Sequence, residues 1–318
     1  MAGNSTRKKR AQPGHCVYMK IGNEGLANQI FMYAAAIRIQ EHYKLPLLIL
    51  PTLHNKHSKT DYRFLFKSGK PVEYSDPGMH DRLDNARVVH PPAAIGFNEW
   101  SPSTLPPVHD HDVVIADNFY QNVKSIHSVV PHIRKEFLPE LRKRYPTLKI
   151  DSTTSAFMHV RRGDYGENLT LPASYFHAAL KELETPAIQT IYIASNDIAW
   201  CKEQAWATGK AIEYVDTPDE LYTLYLMSQC KAGAVLSNSS YSLWGALLGA
   251  DTNPQSIIVY PSRWWDYGPD RPVSSRELML PERWTMIQSH PQQGGGRRKK
   301  RKTKSFVETL ICYMKSCL

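Results

Sequence analysis

Ser155-Ala-Phe-Met-His159-Val-Arg161-Arg162-Gly163-Asp164-Tyr165 decides how the rest of the chain is read. Residues of strand character run into an imidazole, two guanidiniums and a carboxylate within six positions. Alternate side chains of an extended strand share a face, so His159 and Arg161 are expected to point the same way. Arg162, Gly163 and Asp164 fall where the strand ends and the chain turns, with Gly163 supplying backbone freedom. Arginine suits bidentate binding of phosphate or carboxylate, and an α/β sheet holds its ligand at the C-terminal ends of its strands. Taken alone, the run fits equally well a solvated ion-pair turn of Asp164 with Arg161 or Arg162, since such pairs are common and weak.

Other strand ends tip that balance. Cys16-Val-Tyr-Met-Lys-Ile21 leads through Gly22-Asn23-Glu24-Gly25-Leu26-Ala27-Asn28-Gln29 into a helix with Ile30, Phe31, Ala34 and Ile37 as apolar positions. A strand-to-helix turn of this kind offers free N–H groups to an anion. Ile191-Tyr-Ile-Ala194-Ser195-Asn196-Asp197 is a strand ending in small polar residues. Leu236-Ser237-Asn238-Ser239-Ser240-Tyr241-Ser242-Leu243-Trp244 reads as a strand, a hydroxyl-rich turn and a helix start.

From Thr153 to Pro261 strands and helices alternate. Strands are expected up to His159 and at 190–194, 211–215, 233–237 and 256–260, with helices at 173–184, 197–207, 218–230 and 242–249. Such alternation argues for a parallel sheet covered by helices. Upstream, strands are expected at 45–50 and 113–116 and a helix at 126–145, with Val129, Val130, Ile133, Phe137 and Leu141 on its apolar face. Residues 51–112 are rich in Pro, His and Asp and lack periodicity, so they read as loops and short elements suited to a lid or an acceptor-side surface.

Together these segments resemble the α-1,2-fucosyltransferase family, whose members carry GG-L-G-NQ-F-Y, H-x-RR-x-D and SNSSFSWWGA. Asn118-Phe-Tyr120-Gln121, the helix from Asp219 to Cys230, and Val259-Tyr-Pro261-Ser-Arg-Trp264-Trp265 resemble further landmarks of that family in the same order. The match covers residues 16–290. The chain departs from the family pattern at Glu24 and Ala27, which replace glycines, at Asn196, which replaces an acidic residue, and at Leu243, which replaces a tryptophan.

The resemblance implies a GT-B-like α/β fold: two Rossmann-like domains facing a cleft, with parallel sheets covered by helices. On this reading residues 1–14 are a disordered basic arm, 15–150 an N-terminal, acceptor-side domain, and 151–290 a C-terminal GDP-sugar-binding domain. Residues 291–318 are a flexible polybasic tail. It further implies transfer of L-fucose from GDP-fucose to a glycan hydroxyl, with galactose 2-OH the expected acceptor, inversion at the anomeric carbon, and neither cofactor nor metal. Another GDP-sugar transferase on the same scaffold, or a non-catalytic nucleotide-sugar-binding protein, are the alternative readings.

Charge grows on the β-phosphate as the sugar departs, and preorganised cations there speed the step. Arg161 is assigned to that phosphate, Arg162 to phosphate or to an orienting pair with Asp164, and His159 to the diphosphate or the donor sugar. Gly25, Asn28 and Gln29 are expected to face the pyrophosphate. Asp197 is expected to take guanine or ribose, with helix capping as the competing role. Ser237, Asn238, Ser239 and Ser240 suit phosphate contacts, while Tyr241 and Trp244 read as packing. Asp164, Glu167 and Glu24 are candidate bases. Asp110-His-Asp112 has the spacing of a metal-binding Asp-x-Asp but sits in a Pro-rich stretch, where it reads as a solvated loop.

Composition agrees. The 318 residues, 42% of them hydrophobic, suffice for two domains with a core each. The net charge of +9 resides in the tails: setting aside +4 at residues 7–10 and +7 over 294–318 leaves −2 on the remainder. A nucleic-acid-binding fold carries its positive charge on the folded face, so no nucleic-acid partner is expected. The five cysteines are scattered without paired spacing, arguing against a disulfide framework or zinc site. No apolar run reaches membrane-spanning length and no secretory leader is evident, so a cytoplasmic location is expected. Residues 297–318 combine a polybasic run with apolar positions. They suit peripheral contact with an anionic membrane, with a solvated tail as the simpler reading.

Overall fold

The computed structural model describes residues 14–21, 24–51, 60–89, 97–108, 110–116, 118–167, 169–266 and 272–289. The basic arm and the 297–318 tail lie outside them. Two parallel sheets stand one behind the other in the chain. The first is built from β1 (Val17–Lys20), β2 (Leu47–Leu50), β3 (Gly69–Pro71), β4 (Arg87–Val89) and β5 (Val113–Ile115), in the order β3-β2-β1-β5-β4. The second is built from β6 (Ser155–Val160), β7 (Thr190–Ser195), β8 (Ala211–Val215), β9 (Gly233–Val235), β10 (Ile257–Pro261) and, beyond the antiparallel ribbon β11 (Arg263–Asp266) and β12 (Pro272–Ser274), β13 (Thr285–Ile287). Its order is β13-β10-β9-β6-β7-β8. The α/β architecture expected from the alternating pattern is the one observed.

Each sheet winds outward from its first strand and then returns to that strand's other side. The reversal falls between β1 and β5 in the first sheet and between β6 and β9 in the second. Ligands of open parallel sheets bind where the strand order reverses, outside the carboxyl ends of the strands.

The helices are α1 (Leu26–Tyr43), α2 (Met79–Asp84), α3 (Val123–Ile126), α4 (Val130–Arg144), α5 (Ala173–Glu182), α6 (Ile198–Glu203), α7 (Glu220–Gln229) and α8 (Ser240–Leu248). Helix α1 buries residues almost all round, because it is sandwiched between the first sheet and α8. It stops at Lys44, which adopts a left-handed conformation ahead of Leu45-Pro46.

Strand alternation sorts the core into layers. Val17 and Met19 face inward, whereas Cys16 and Tyr18 pack under α2 on the outer face. In β6, Phe157 points inward, while Ala156, Met158 and Val160 meet α5 on the outer face. The inner layer joins the two sheets. One continuous apolar cluster runs from the first sheet through α1, α4, α7 and α8 to the second. The Phe31 and Trp244 rings meet at 5.0 Å within it, and both are fully buried.

Residues 51–112 hold the short elements expected between their loops. Among their described positions lie β3, α2 and β4, three-residue strands and a six-residue helix that complete the first sheet. Asp112, however, is no solvated loop residue. It receives Arg82 through both carboxylate oxygens, at 2.7 and 2.6 Å, and accepts the Cys16 N–H at 2.8 Å. It precedes β5, so it sits at the end of the sheet opposite the C-terminal rim.

Candidate active site

Positions 155, 157, 159 and 161 share one parity along β6, so His159 and Arg161 follow Phe157 onto the inner face, the side on which α8 lies. His159 is 3% exposed, and its Nδ1 shares a 2.8 Å hydrogen bond with Ser237 Oγ at the end of β9. That bond spans the switch point of the second sheet. The imidazole also meets the Tyr241 ring at 5.4 Å. Burial first, and the Arg161 charge second, lower its pKa to about 3, so the ring is neutral.

The two arginines are held differently from expectation. Asp164 pairs with Arg161, Nη2 to Oδ2 at 2.6 Å, and not with Arg162. A turn closed by Tyr165 N–H on the Arg162 carbonyl, at 2.6 Å, brings residue 164 back beneath residue 161. The Arg161 guanidinium lies 5.6 Å from the Tyr165 ring centroid. The Arg162 guanidinium lies 3.9 Å over Trp200 and its Nε is 3.7 Å from Asp197, beyond hydrogen-bonding reach. Both Nε–H groups are buried with no acceptor among the described residues. Buried donors are almost always paired. Two such donors on consecutive residues at a switch point could serve an anion.

Asn196 secures this loop and was seen in the sequence only as a departure. Its Oδ1 accepts the N–H groups of Arg162 and Gly163, at 2.9 and 3.3 Å, and its Nδ2 donates to Asp164 at 2.9 Å. A Cβ on Gly163 would lie 3.2 Å from the Asn196 side chain, a tight approach that the glycine avoids. The legible signal was its type: short amides at strand ends satisfy turn backbones. Tyr165, likewise unassigned from the sequence, donates its hydroxyl to the Asn238 carbonyl at 3.2 Å.

At the start of α8 stands the N-terminus of α1. Gly25 caps it without a side chain, leaving first-turn N–H groups uncapped, and the space a Cβ of Gly25 would enter is open. Asn28 Oδ1 receives Gln121 Nε2 at 2.6 Å and Ser240 Oγ at 2.8 Å. It therefore ties α1 to the segment after β5 and to the start of α8.

Several residues expected to touch ligand are engaged by the protein itself. Gln29 is 1% exposed and donates to the Glu24 carbonyl at 2.8 Å, bracing its own turn. Ser237 is fully buried behind His159, and Ser239 caps α8 by accepting the Tyr241 N–H at 3.3 Å. Asn238 is 2% exposed and donates to the Leu169 carbonyl at 2.8 Å, while its Oδ1 has no partner among the described residues. Asp197 accepts the Trp200 N–H at 3.2 Å, the capping role that competed with ligand contact. Trp244 packs in the core, as expected. On the other flank a cavity of about 430 Å³ opens beside β8, lined by Tyr192, Glu213, Val215, Thr217, Asp219 and Tyr222 among others. Val215 is in register with His159 through Ala194, so this cavity starts about 10 Å from the imidazole strand.

The description Glycosyl transferase family 11 matches residues 114–286, more than half of the chain. The chain belongs to that family. This is the α-1,2-fucosyltransferase-like family that the motifs resembled, and the protein is accordingly a glycosyltransferase. Its relatives include the O-antigen biosynthesis glycosyltransferase WbnK of Escherichia coli, 30% identical over 241 residues and spanning 72% of this chain and 70% of that one. They also include the alpha-1,2-colitosyltransferase of Escherichia coli, 24% identical over 184 residues, 54% of this chain and 61% of that one. Among solved structures, POFUT1 in complex with GDP overlaps 78% of this chain and 98% of that one, at a TM-score of 0.49 and 10% identity. So loose an overlap says nothing of ligands; the fold of this family 11 member rests on its two sheets. The family match covers β6 to β10, where His159, Arg161 and Arg162 are carried.

Proposed function

We propose that this family 11 glycosyltransferase transfers L-fucose from GDP-fucose to a glycan hydroxyl, galactose 2-OH being the favoured acceptor, with inversion and without a metal. The observation that carries the reading is the pair of acceptor-less Nε–H donors of Arg161 and Arg162 beside a neutral imidazole, at the switch point of the second sheet. The diphosphate would lie between these guanidiniums and the N-terminus of α1. The nucleoside would extend along the β7–β8 rim toward the Tyr192–Tyr222 cavity.

In the reaction the acceptor oxygen attacks the anomeric carbon as its bond to the diphosphate breaks, and charge collects on the β-phosphate. Arg161 and Arg162 stabilise that charge without reorganising, because Asp164, Tyr165, Asn196 and Trp200 already hold them. His159, being neutral, donates or accepts one hydrogen bond without adding charge. Asp164 is engaged at both oxygens, which disfavours it as the base and leaves Glu24 and Glu167 as candidates for taking the hydroxyl proton.

A second donor is favoured by one observation, the likeness to a relative named as a colitosyltransferase. Incubation with a panel of nucleotide sugars, read out by released diphosphate and labelled product, decides. Turnover with GDP-fucose supports the proposal. Turnover only with another GDP-sugar moves the donor, and binding without release in the presence of glycan acceptors overturns the enzymatic reading. Location stays a proposal too: among the described residues no helix is long and apolar enough to cross a membrane. Flotation with anionic liposomes, with and without residues 294–318, tests peripheral contact through the tail.

A further inference from the structure

The segment following β5 contains a feature that the donor site as described does not use. Tyr120 has a backbone φ of 52°, a left-handed conformation that is an outlier for a bulky residue. The surroundings hold it there. Its ring is fully buried, its hydroxyl donates to the Ala116 carbonyl at 2.8 Å, and Trp100 packs edge-on at 5.6 Å. Asn122 fixes the other side, donating to the carbonyls of Phe97 and Glu277 at 3.0 and 3.1 Å and accepting the Ser125 N–H at 3.0 Å. Between them Gln121, 7% exposed, is delivered onto Asn28.

The consequence lies in the amide of Asn28. Its Oδ1 accepts two hydrogen bonds, from Gln121 Nε2 and Ser240 Oγ. An amide whose oxygen is claimed from two sides has one orientation, with the Nδ2 hydrogens directed away from both donors. Nδ2 has no partner among the described residues, and it sits on the first turn of α1, at the site already assigned to the diphosphate. Without Gln121 the amide could rotate and present oxygen, a repulsive group, to the anion.

We propose that Gln121 is a positioning residue for the donor diphosphate, acting through Asn28 by fixing its amide with nitrogen toward the phosphates. The Gln121–Asn28 bond spans the switch point of the first sheet as His159–Ser237 spans that of the second, and Ser240 joins the two halves. The inference rests on the proposed GDP-sugar site.

The test is a double-mutant cycle on the full chain, read as dissociation constants for GDP and for guanosine, with melting temperatures as the folding control. Gln121→Met keeps the shape and removes the donor. It should weaken GDP about fivefold to tenfold, leave guanosine unchanged, and have almost no further effect once Asn28→Ala is present. Unchanged GDP affinity in folded Gln121→Met, an equal loss for guanosine, or a penalty that persists in full on the Asn28→Ala background overturns the positioning role. Should Gln121→Met not fold, Ser240→Ala removes the other bond to the same oxygen and enters the same cycle with the same outcomes. A wild-type chain that binds guanosine and GDP equally, or neither, rejects the GDP-sugar site itself and the inference with it.

Discussion

The imidazole of His159 and the hydroxyl of Ser237 share a 2.8 Å hydrogen bond across the crevice where the second sheet reverses its strand order. The contact is buried on both sides, at 3% and 0% exposure. It seals the floor of the site, so that Arg161, two residues further on, stands at the rim with a neutral neighbour behind it.

That neutrality has a measurable sign. An unfolded imidazole protonates near pH 6.5, whereas burial and then the Arg161 charge hold the native ring unprotonated down to about 3. Between those values the unfolded chain binds the extra proton, so stability rises with pH and falls on acidification, by at most about 1.4 kcal/mol per unit from this group. His159→Asn should lose that component of the slope. Chemical denaturation from pH 4 to 7 checks it, and identical slopes for the two proteins would sink the assignment of a neutral buried ring. For the same reason the acid limb of kcat/KM should not shift in the variant.

Arg161→Ala should lower kcat about 100- to 1,000-fold, the range for removing one preorganised donor to developing charge. The melting temperature should barely move, because the Arg161–Asp164 pair is partly exposed, at 30% and 49%, and contributes little to stability. Arg161→Lys should recover only part, since an ammonium lacks the planar fork. Near-normal turnover of the alanine variant would remove the phosphate role.

Where the sequence could be read and where it could not follows from element length. Strand β7 at Thr190–Ser195, helix α7 at Glu220–Gln229 and helix α8 at Ser240–Leu248 are apolar runs between polar turns, and they fall within a few residues of the expected bounds. Strands β3 and β4 could not be placed individually, because Gly69-Lys-Pro71 and Arg87-Val-Val89 are too short to show a period and gain their strand character from neighbours. At the site, strand alternation placed His159 and Arg161 on one face. Burial was not legible: nothing in the spelling of Ser237 or Gln29 distinguishes a buried hydroxyl or amide from one facing ligand. Nor could spacing assign Asp164 to Arg161 over Arg162, a choice made by the turn. The shared inner core was hidden for another reason, as Phe31 and Trp244 lie more than two hundred residues apart.

Trp244 links the two sheets through that core. Trp244→Ala should cost about 3–5 kcal/mol, and because the cluster is continuous across the sheets the loss should appear as one cooperative transition. Denaturant unfolding followed by far-UV circular dichroism and by fluorescence checks it. Two separated transitions in the wild type would show that the sheets unfold independently in spite of their shared layer.

The Asp110-His-Asp112 spacing allows a final separation of structural from catalytic carboxylates. Asp112 is 9% exposed and lies at the N-terminal edge of β5, with both oxygens on Arg82 and one also on the Cys16 N–H. Burial alone would raise its pKa, but the Arg82 hydrogen bonds, the Cys16 N–H and the Arg82 charge outweigh it and the carboxyl is lowered. Asp112→Asn leaves the Arg82 guanidinium without its counterion. It should destabilise by about 2 kcal/mol, less than for a fully buried pair because Arg82 keeps some access to water. If the arginines and not a divalent cation neutralise the leaving diphosphate, folded Asp112→Asn should turn over like the wild type, and EDTA should leave both unchanged. Loss of activity in EDTA with recovery on magnesium or manganese, paralleled by a variant that is folded but inactive, would place a cation at this loop and displace the guanidinium pair from the chemistry.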